Sequence, residues 1–189
     1  MKIICLEGCH GVGKTTLIND LQLAGEIVLD EMFVDMPSFS IIAPQSLTME
    51  TIWIAKWFNR LLQLYNTHKG KILYADRSPY SAIYYSKSTP EEQQILKQLI
   101  ETQILEMNKV GIQITTVCLD VQPELLWKRI LTRLEFEPMR KQYNEDSRAW
   151  MDKTNNWYQT FTWDFILDNS EAVVPPRKIL EKVLQTICK

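Results

Sequence analysis

The sequence predicts a three-layer α/β fold with a mostly parallel β-sheet. Short apolar segments, several of them rich in β-branched residues, alternate with longer amphipathic segments along the whole chain, and this alternation is typical of that fold class. The 189 residues are in the size range of one domain. Because no repeat, low-complexity tract or linker-like stretch interrupts the pattern, we predict a single domain over residues 1–189.

Five short segments have the composition of buried β-strands. The first, residues 2–7, is largely apolar and runs directly into Gly8, which favours a turn. The segment 112–119 is rich in β-branched residues, which favour strands. The other three predicted strands are residues 26–30, 71–75 and 165–167.

Six longer segments are predicted to be helices. Pro90 and the two glutamates after it mark one helix start, because proline suits the first helical position and acidic side chains favour the positive end of the helix dipole. Gly111 is expected to end that helix. The predicted helices begin at Lys14, cover 48–65, 90–109, 123–134 and 148–161, and begin again at Pro176.

The charge balance and hydropathy exclude several classes of partner. The 21 Lys and Arg residues nearly balance the 23 Asp and Glu residues, whereas a protein that binds nucleic-acid polymers is normally basic. No apolar run reaches about 18 residues, the length that a membrane-spanning helix needs. The apolar start, residues 1–6, is too short for a signal peptide. We therefore expect a cytoplasmic protein with neither a nucleic-acid polymer nor a membrane as partner.

The four cysteines are scattered along the chain, and two of them, Cys5 and Cys118, lie inside apolar segments. The other two, Cys9 and Cys188, show no paired spacing of the kind found in zinc sites. We expect reduced, mostly buried thiols rather than disulfides or a metal site.

Residues 8–15 match the pattern G-x-x-x-x-G-K-[ST] and stand between a predicted strand and a predicted helix. Glycines in this pattern let backbone N–H groups turn towards a phosphate at the positive end of the following helix. Lys14 is expected to reach the β- and γ-phosphates, and the hydroxyl of Thr15 to ligate Mg²⁺. Since the guanine-reading string N-K-x-D is absent, we predict ATP as the nucleotide. The expected nucleotide-binding residues are Gly8, His10, Gly11, Val12, Gly13, Lys14, Thr15 and Thr16.

Charged residues also follow two other predicted strands. Asp30 and Glu31 come after the second strand, and Asp76 and Arg77 come after the third. Because ligands of open α/β sheets bind at the carboxyl ends of the strands, these residues are candidates for a catalytic base and a carboxylate near the metal. The alternatives are a surface ion pair for Asp76 and Arg77, and a solvated turn for Asp30 and Glu31.

Three motifs resemble those of a known group of kinases. Residues 6–16 look like the phosphate loop of thymidylate kinases, and residues 76–81 look like the Glu-Arg-Ser motif of deoxyribonucleoside kinases. Pro123 and Glu124, followed by Arg129 and Arg133, are similar to the start of the arginine-bearing lid in both families. These motifs come in the order found in that superfamily and extend from residue 2 to about residue 158.

The resemblance implies a P-loop nucleoside/nucleotide kinase fold with a five-stranded parallel sheet and a lid over about 129–147, often in homodimers. It implies transfer of the ATP γ-phosphate, with Mg²⁺, to a deoxynucleoside or a deoxynucleoside monophosphate. Arg77 would contact the acceptor, and Asp76 would hold the metal or its waters. Arg129 and Arg133, with Arg140 as a further candidate, would close over the transferring phosphoryl group, where arginines stabilise the developing charge.

The acceptor is better predicted as a nucleoside than as a monophosphate. Thymidylate kinases carry an arginine after the second strand, where this chain has Asp30 and Glu31. Two carboxylates repel an anionic acceptor and suit proton abstraction from a neutral 5′-hydroxyl, so Glu31 is the preferred base. His10, at a position where thymidylate kinases often have aspartate, is expected to face solvent.

Two other functions stay open. The Glu-Pro pair usual in nucleoside kinases is absent, and Asp76 rather than a glutamate heads its triplet, so a thymidylate kinase is the alternative within enzymes. The alternative outside enzymes is a catalytically silent nucleotide-binding regulatory protein, against which the full set of catalytic candidates argues.

Recognition of the base is predicted from fewer signals. Trp53 and Trp57, on the long helix, are candidates for stacking, and Gln45 for reading a base edge. An aromatic-rich helix is more often core or dimer interface. Ala82 stands where some nucleoside kinases place an aspartate, and its small side chain favours a thymine-type base, hence thymidine.

Overall fold

The computed structural model describes residues 1–31, 36, 38–170, 178, 181–182 and 184–185. Its strands are β1 (Lys2–Glu7), β2 (Ile27–Leu29), β3 (Ile72–Asp76), β4 (Gln113–Asp120) and β5 (Phe165–Asp168). They form one parallel sheet in the order β2-β3-β1-β4-β5, with helices packed on it. The predicted three-layer α/β fold with a five-stranded parallel sheet is therefore confirmed.

The helices follow the predicted pattern with small shifts of their ends. They are α1 (Lys14–Leu23), α2 (Leu47–His68), α3 (Ser81–Tyr85), α4 (Pro90–Lys109), α5 (Pro123–Phe136) and α6 (Arg148–Thr160). The short α3 is not predicted from the sequence, and the polar segment after α5 contains a 3₁₀ helix, Pro138–Tyr143. The predicted start of a last helix at Pro176 lies outside the described residues. None of the helices described is long and apolar enough to cross a membrane.

Local sequence signals set the ends of α4. The backbone N–H of Thr89 donates to the Glu92 carboxylate at 2.8 Å, and the backbone N–H of Glu92 donates to the Thr89 hydroxyl at 3.3 Å. This reciprocal capping box satisfies two donors that a helix start otherwise leaves unpaired. Pro90 occupies the first turn, and Gly111, with φ +79°, follows the other end. The predicted bounds of this helix are confirmed.

The chain forms two compact units. The first unit comprises Met1–Cys5 and Leu29–Thr115, and the second comprises Leu6–Val28 and Thr116–Lys189. In the first unit α2 and α3 pack against α4, and in the second α5 packs against α6 and the 3₁₀ helix. The assignment of one domain to the whole chain stays a prediction.

The register between β4 and β5 is fixed by one side chain. β5 runs parallel to β4, with Val117 opposite Phe165. Just before β5, a carboxylate oxygen of Asp164 accepts from the backbone N–H and the hydroxyl of Thr116 at 2.7 and 2.8 Å. The backbone N–H of Asp164 donates back to that hydroxyl at 3.1 Å. A slip of one residue would break all three bonds and turn the side chains to the other face.

The cysteines in the described part of the chain are buried, as predicted, and form no disulfide there: Cys5, Cys9 and Cys118. Burial, with the nearby charge of Glu7, raises the pKa of the Cys118 thiol to about 12. This thiol therefore stays protonated at neutral pH and is a poor nucleophile. Cys188 lies outside the described residues.

Candidate functional site

Glycines shape the loop between β1 and α1. Gly8, Gly11 and Gly13 have φ of +133°, +86° and +103°, in the region that favours glycine. A Cβ atom on Gly8 would lie 2.6 Å from the carbonyl oxygen of Leu119, and one on Gly11 would lie 2.7 Å from a side-chain carbon of Ile130. Side chains on Gly8 and Gly11 would clash with the neighbouring strand and helix, so this path of the loop requires glycine at both positions.

Lys14 is directed into this loop. Its side chain is 6% exposed, and Nζ donates to the carbonyl oxygens of Gly8 and Cys9 at 2.7 and 3.0 Å. Thr15 and Thr16 are exposed in the first turn of α1, and this turn contains no acidic residue. A lysine, a hydroxyl and the positive end of a helix form a donor set that fits a polyphosphate with Mg²⁺.

Asn169, directly after β5, supports this loop. Its side-chain amide donates to the carbonyl oxygen of Val12 at 2.7 Å, and its backbone carbonyl oxygen accepts from the guanidinium of Arg129 at 3.0 Å. Sequence analysis missed Asn169, although the signal that found Asp76, a polar residue where a strand ends, is present there too.

His10 is buried, so the expectation that it faces solvent is wrong. It is 8% exposed, and its Nδ1 lies 3.5 Å from the sulfur of Cys9. That sulfur in turn lies 3.9 Å from the carbonyl oxygen of Met151. The packing of α6 in the second unit thus encloses a loop position that the sequence alone marks as polar.

Two of the predicted lid arginines are held by carboxylates of the second unit. Arg133 pairs with Glu145, which is itself buried, and Arg140 donates to the same carboxylate at 3.3 Å and pairs with Glu137. Burial alone would lower the pKa of Arg140, but the two glutamates outweigh it and raise that pKa. Burial lowers the pKa of Arg129. Sequence analysis missed Glu145, which joins two of the arginines.

In the first unit, the two acidic residues after β2 have different partners. Glu31 accepts from the Nε–H of Arg77, and Asp30 pairs with Arg60 of α2 at 2.6 Å. The side chain of Glu31 is 32% exposed and that of Asp30 is 81% exposed. Glu31 is therefore the more buried of the two carboxylates and the one that contacts Arg77, in the motif after β3.

The motif after β3 is buried and its backbone is strained. Asp76 is the last residue of β3, and both Asp76 and Arg77 are buried. Arg77 has φ +74°, a left-handed conformation that a residue with a side chain adopts at a cost and that recurs at functional sites. Its guanidinium lies 4.9 Å from the ring centre of Tyr85. These contacts hold the guanidinium in place beside Glu31.

The first unit also contains an open cavity of about 220 Å³. Two of the predicted base-binding residues, Gln45 and Trp53, line it, whereas Trp57 and Ala82 are buried and are not among its lining residues. Sequence analysis missed Glu50, which also lines it. The lining residues are Met36, Ser38, Phe39, Ile42, Pro44, Gln45, Met49, Glu50 and Trp53.

The fold and the glycine loop define a P-loop nucleotide-binding protein. Over residues 4–151 the chain matches the AAA domain family, and it belongs to that family, which is of the P-loop NTPase type and includes kinases. Proteins of this type generally bind ATP with Mg²⁺. A comparison with curated proteins finds no significant match. Within the described residues, no three His, Cys, Asp or Glu side chains are grouped so as to hold a metal ion.

Proposed function

We propose that this protein is an ATP-dependent kinase that phosphorylates the 5′-hydroxyl of a deoxynucleoside. The observation that carries the proposal is the ion pair between Glu31 and Arg77, which keeps a partly exposed carboxylate next to a buried guanidinium. That carboxylate would repel an anionic acceptor, whereas a neutral hydroxyl would donate its proton to it.

On the donor side, the proposal uses residues of the second unit. Bound Mg-ATP supplies the γ-phosphoryl group and the metal that offsets its charge. Lys14 would neutralise the β- and γ-phosphates, the hydroxyl of Thr15 would ligate Mg²⁺, and the amides of residues 8–16 would hold the β-phosphate. The glycine geometry and the inward position of Lys14 support these assignments.

On the acceptor side, we assign Glu31 as the general base. Its carboxylate takes the proton of the 5′-hydroxyl while the oxygen bonds to the γ-phosphorus and the bond from that phosphorus to the bridging oxygen breaks. Arg77 orients Glu31 and contacts the acceptor, and Asp76 is assigned to the metal or its waters. Asp30 is the weaker candidate because it is mostly exposed and paired with Arg60.

We assign residues 129–147 as a lid whose arginines stabilise the charge on the transferring group. Glu145 holds Arg133 and Arg140 in one cluster, so a movement of this segment would carry both guanidinium groups together. Arg129, bonded to the backbone of Asn169, is the third member. Charge stabilisation of this kind is usually a large part of phosphoryl-transfer catalysis.

The second candidate function is a thymidylate kinase, with a monophosphate acceptor. One observation favours it: Arg60 pairs with Asp30 directly after β2, so a cation stands near the place where thymidylate kinases have an arginine. The preference for thymine drawn from Ala82 stays a prediction; Ala82 is fully buried and is not among the residues that line the cavity.

A panel of acceptors tests the proposal. The full-length protein is incubated with Mg-ATP and each of the deoxynucleosides and their 5′-monophosphates, and the products are separated. We expect deoxynucleoside monophosphates to form. Phosphorylation of monophosphates only would establish the thymidylate kinase alternative, and tight binding of ATP with no transfer to any acceptor would establish the catalytically silent one.

A further inference from the structure

The cavity of the first unit has a largely apolar wall with one acidic group. Methionine, isoleucine, proline and aromatic side chains make up most of it, and its polar side chains are those of Ser38, Gln45 and Glu50. An apolar pocket with a few convergent polar groups is the usual form of a small-molecule site. Phe39, which is 49% exposed, gives the cavity an aromatic ring on which a planar ligand can stack, and Trp53 lies in the wall but is 2% exposed.

Glu50 is the exceptional residue of this wall. It lies in the first turn of α2, is 5% exposed, and its Oε2 has no hydrogen-bond partner among the described residues. Burial raises the pKa of its carboxyl to about 7. A buried carboxylate oxygen without a hydrogen-bond partner costs free energy, and a ligand that donates a hydrogen bond to this carboxylate would remove part of that cost.

We propose that this cavity binds a planar heteroaromatic ring that carries an exocyclic amino group, and that Glu50 accepts a hydrogen bond from this amino group. The inference rests on the proposed function, because the ring is then the base of the deoxynucleoside acceptor. It names the class of base as cytosine, adenine or guanine rather than thymine.

The chemistry of the carboxyl group separates these bases. An ionised carboxylate only accepts hydrogen bonds, and the amino group of cytosine, adenine or guanine offers N–H donors. Thymine offers one ring N–H, and a carboxylate that accepts from it repels the two carbonyl oxygens on either side. A protonated carboxyl still accepts from the amino group through its carbonyl oxygen. The amino-bearing bases therefore fit Glu50 in both protonation states, and thymine fits only one of them.

Binding of unphosphorylated nucleosides tests this inference without any need for turnover. Deoxycytidine, deoxyadenosine, deoxyguanosine and thymidine are titrated into the full-length protein in a calorimeter. We expect at least one amino-bearing nucleoside to bind about tenfold or more tightly than thymidine, which corresponds to one hydrogen bond to a charged group. Equal affinities, a preference for thymidine, or no binding of any of the four up to millimolar concentration would overturn the inference.

Two variants assign the preference to Glu50. Glu50→Leu removes the acceptor and should reduce the ratio of the two affinities to near one. Glu50→Gln keeps an acceptor for the amino group but adds an N–H donor for the carbonyl oxygens of thymine, so it should reduce the ratio through tighter binding of thymidine. A general loosening of the cavity would weaken both ligands and leave that ratio unchanged. If Glu50→Leu does not fold, comparing the affinity ratio of the wild type with that of Glu50→Gln still tests whether Glu50 sets the preference.

The outcomes also separate this inference from the proposed function. Phosphorylation of all four nucleosides, with thymidine bound as tightly as the others, would overturn the inference and leave the kinase proposal standing. Glu50-dependent binding of an amino-bearing nucleoside with no phosphorylation would contradict the kinase proposal and support the inference.

Discussion

The side-chain amide of Asn169 donates a 2.7 Å hydrogen bond to the carbonyl oxygen of Val12 and so ties the residue after β5 to the phosphate loop. The same amide nitrogen lies 3.2 Å from the place where a Cβ on Gly13 would stand. Asn169 is buried, and its backbone carbonyl accepts from Arg129. One residue therefore connects the phosphate loop with the helix that carries two of the arginines that we propose for the lid.

Asn169→Ala should weaken nucleotide binding by about five- to tenfold, because a lost hydrogen bond of this kind is worth about 1 kcal/mol. Calorimetric titration with ADP or a non-hydrolysable ATP analogue measures the effect. The control is Asn156→Ala, the same change at an exposed position of α6 in the same unit. Equal affinities for the two variants would show that the bond to Val12 does not support the loop.

Lys14→Ala should lower kcat by about 10²–10³-fold while the fold stays intact, because the lysine acts on charge that develops in the transition state. Steady-state kinetics with the acceptor found in the panel, together with the unfolding midpoint, measure both parts. Lys109→Ala, at an exposed position on α4, is the matched control. Near-wild-type turnover of the Lys14 variant would show that this lysine does not act on the transferring phosphoryl group.

Glu31→Gln should lower kcat by about 10²-fold or more with a smaller change in the acceptor KM, because a general base acts in the transition state. Asp30→Asn is the paired control, since it removes a neighbouring charge that is exposed and bonded to Arg60; its kcat should stay within about twofold of wild type. A larger loss of kcat in Asp30→Asn than in Glu31→Gln would identify Asp30 as the general base.

Glu50 should make the stability of the protein depend on pH. Burial raises the pKa of this carboxyl from 4.5 to about 7, so the folded state binds its proton more tightly than the unfolded state does. The free energy of unfolding then falls as pH rises from about 4.5 to about 7, by about 2–3 kcal/mol from this group.

Glu50→Gln should lack that decrease, and urea unfolding between pH 4.5 and pH 8 compares the two proteins. The control is Glu101→Gln, an exposed glutamate of α4 that pairs loosely with Lys97. A wild-type protein whose stability relative to Glu50→Gln does not change over this range would show that the carboxyl is not buried in solution.

The elements of the fold were predictable because their signals are local. Apolar strands, the spacing of apolar residues in the helices, and the proline, threonine and glutamate residues around Pro90 each determine structure within a few residues. The glycine loop was predictable for the same reason, since its pattern is contiguous. The short α3 has too few residues for a period to be recognised.

The side chains that complete the candidate site were not predictable in this way. Asn169 depends on a contact across the 157 positions that separate it from Val12. Glu145 depends on ion pairs with Arg133 and Arg140, and Glu50 on the packing of the cavity wall, and neither arrangement follows from the period of a helix or strand. The error at His10 has the same origin, because the burial of this polar residue depends on packing that no local pattern encodes.

The two outer strands of the sheet are short: β2 has three residues and β5 has four. Strands of this length offer few free backbone groups to a neighbouring polypeptide, so they resist edge-to-edge association and fibril growth. Any homodimer of this chain is therefore expected to form through helix surfaces, and substitutions on those surfaces, rather than in the strands, are the ones expected to change its oligomeric state.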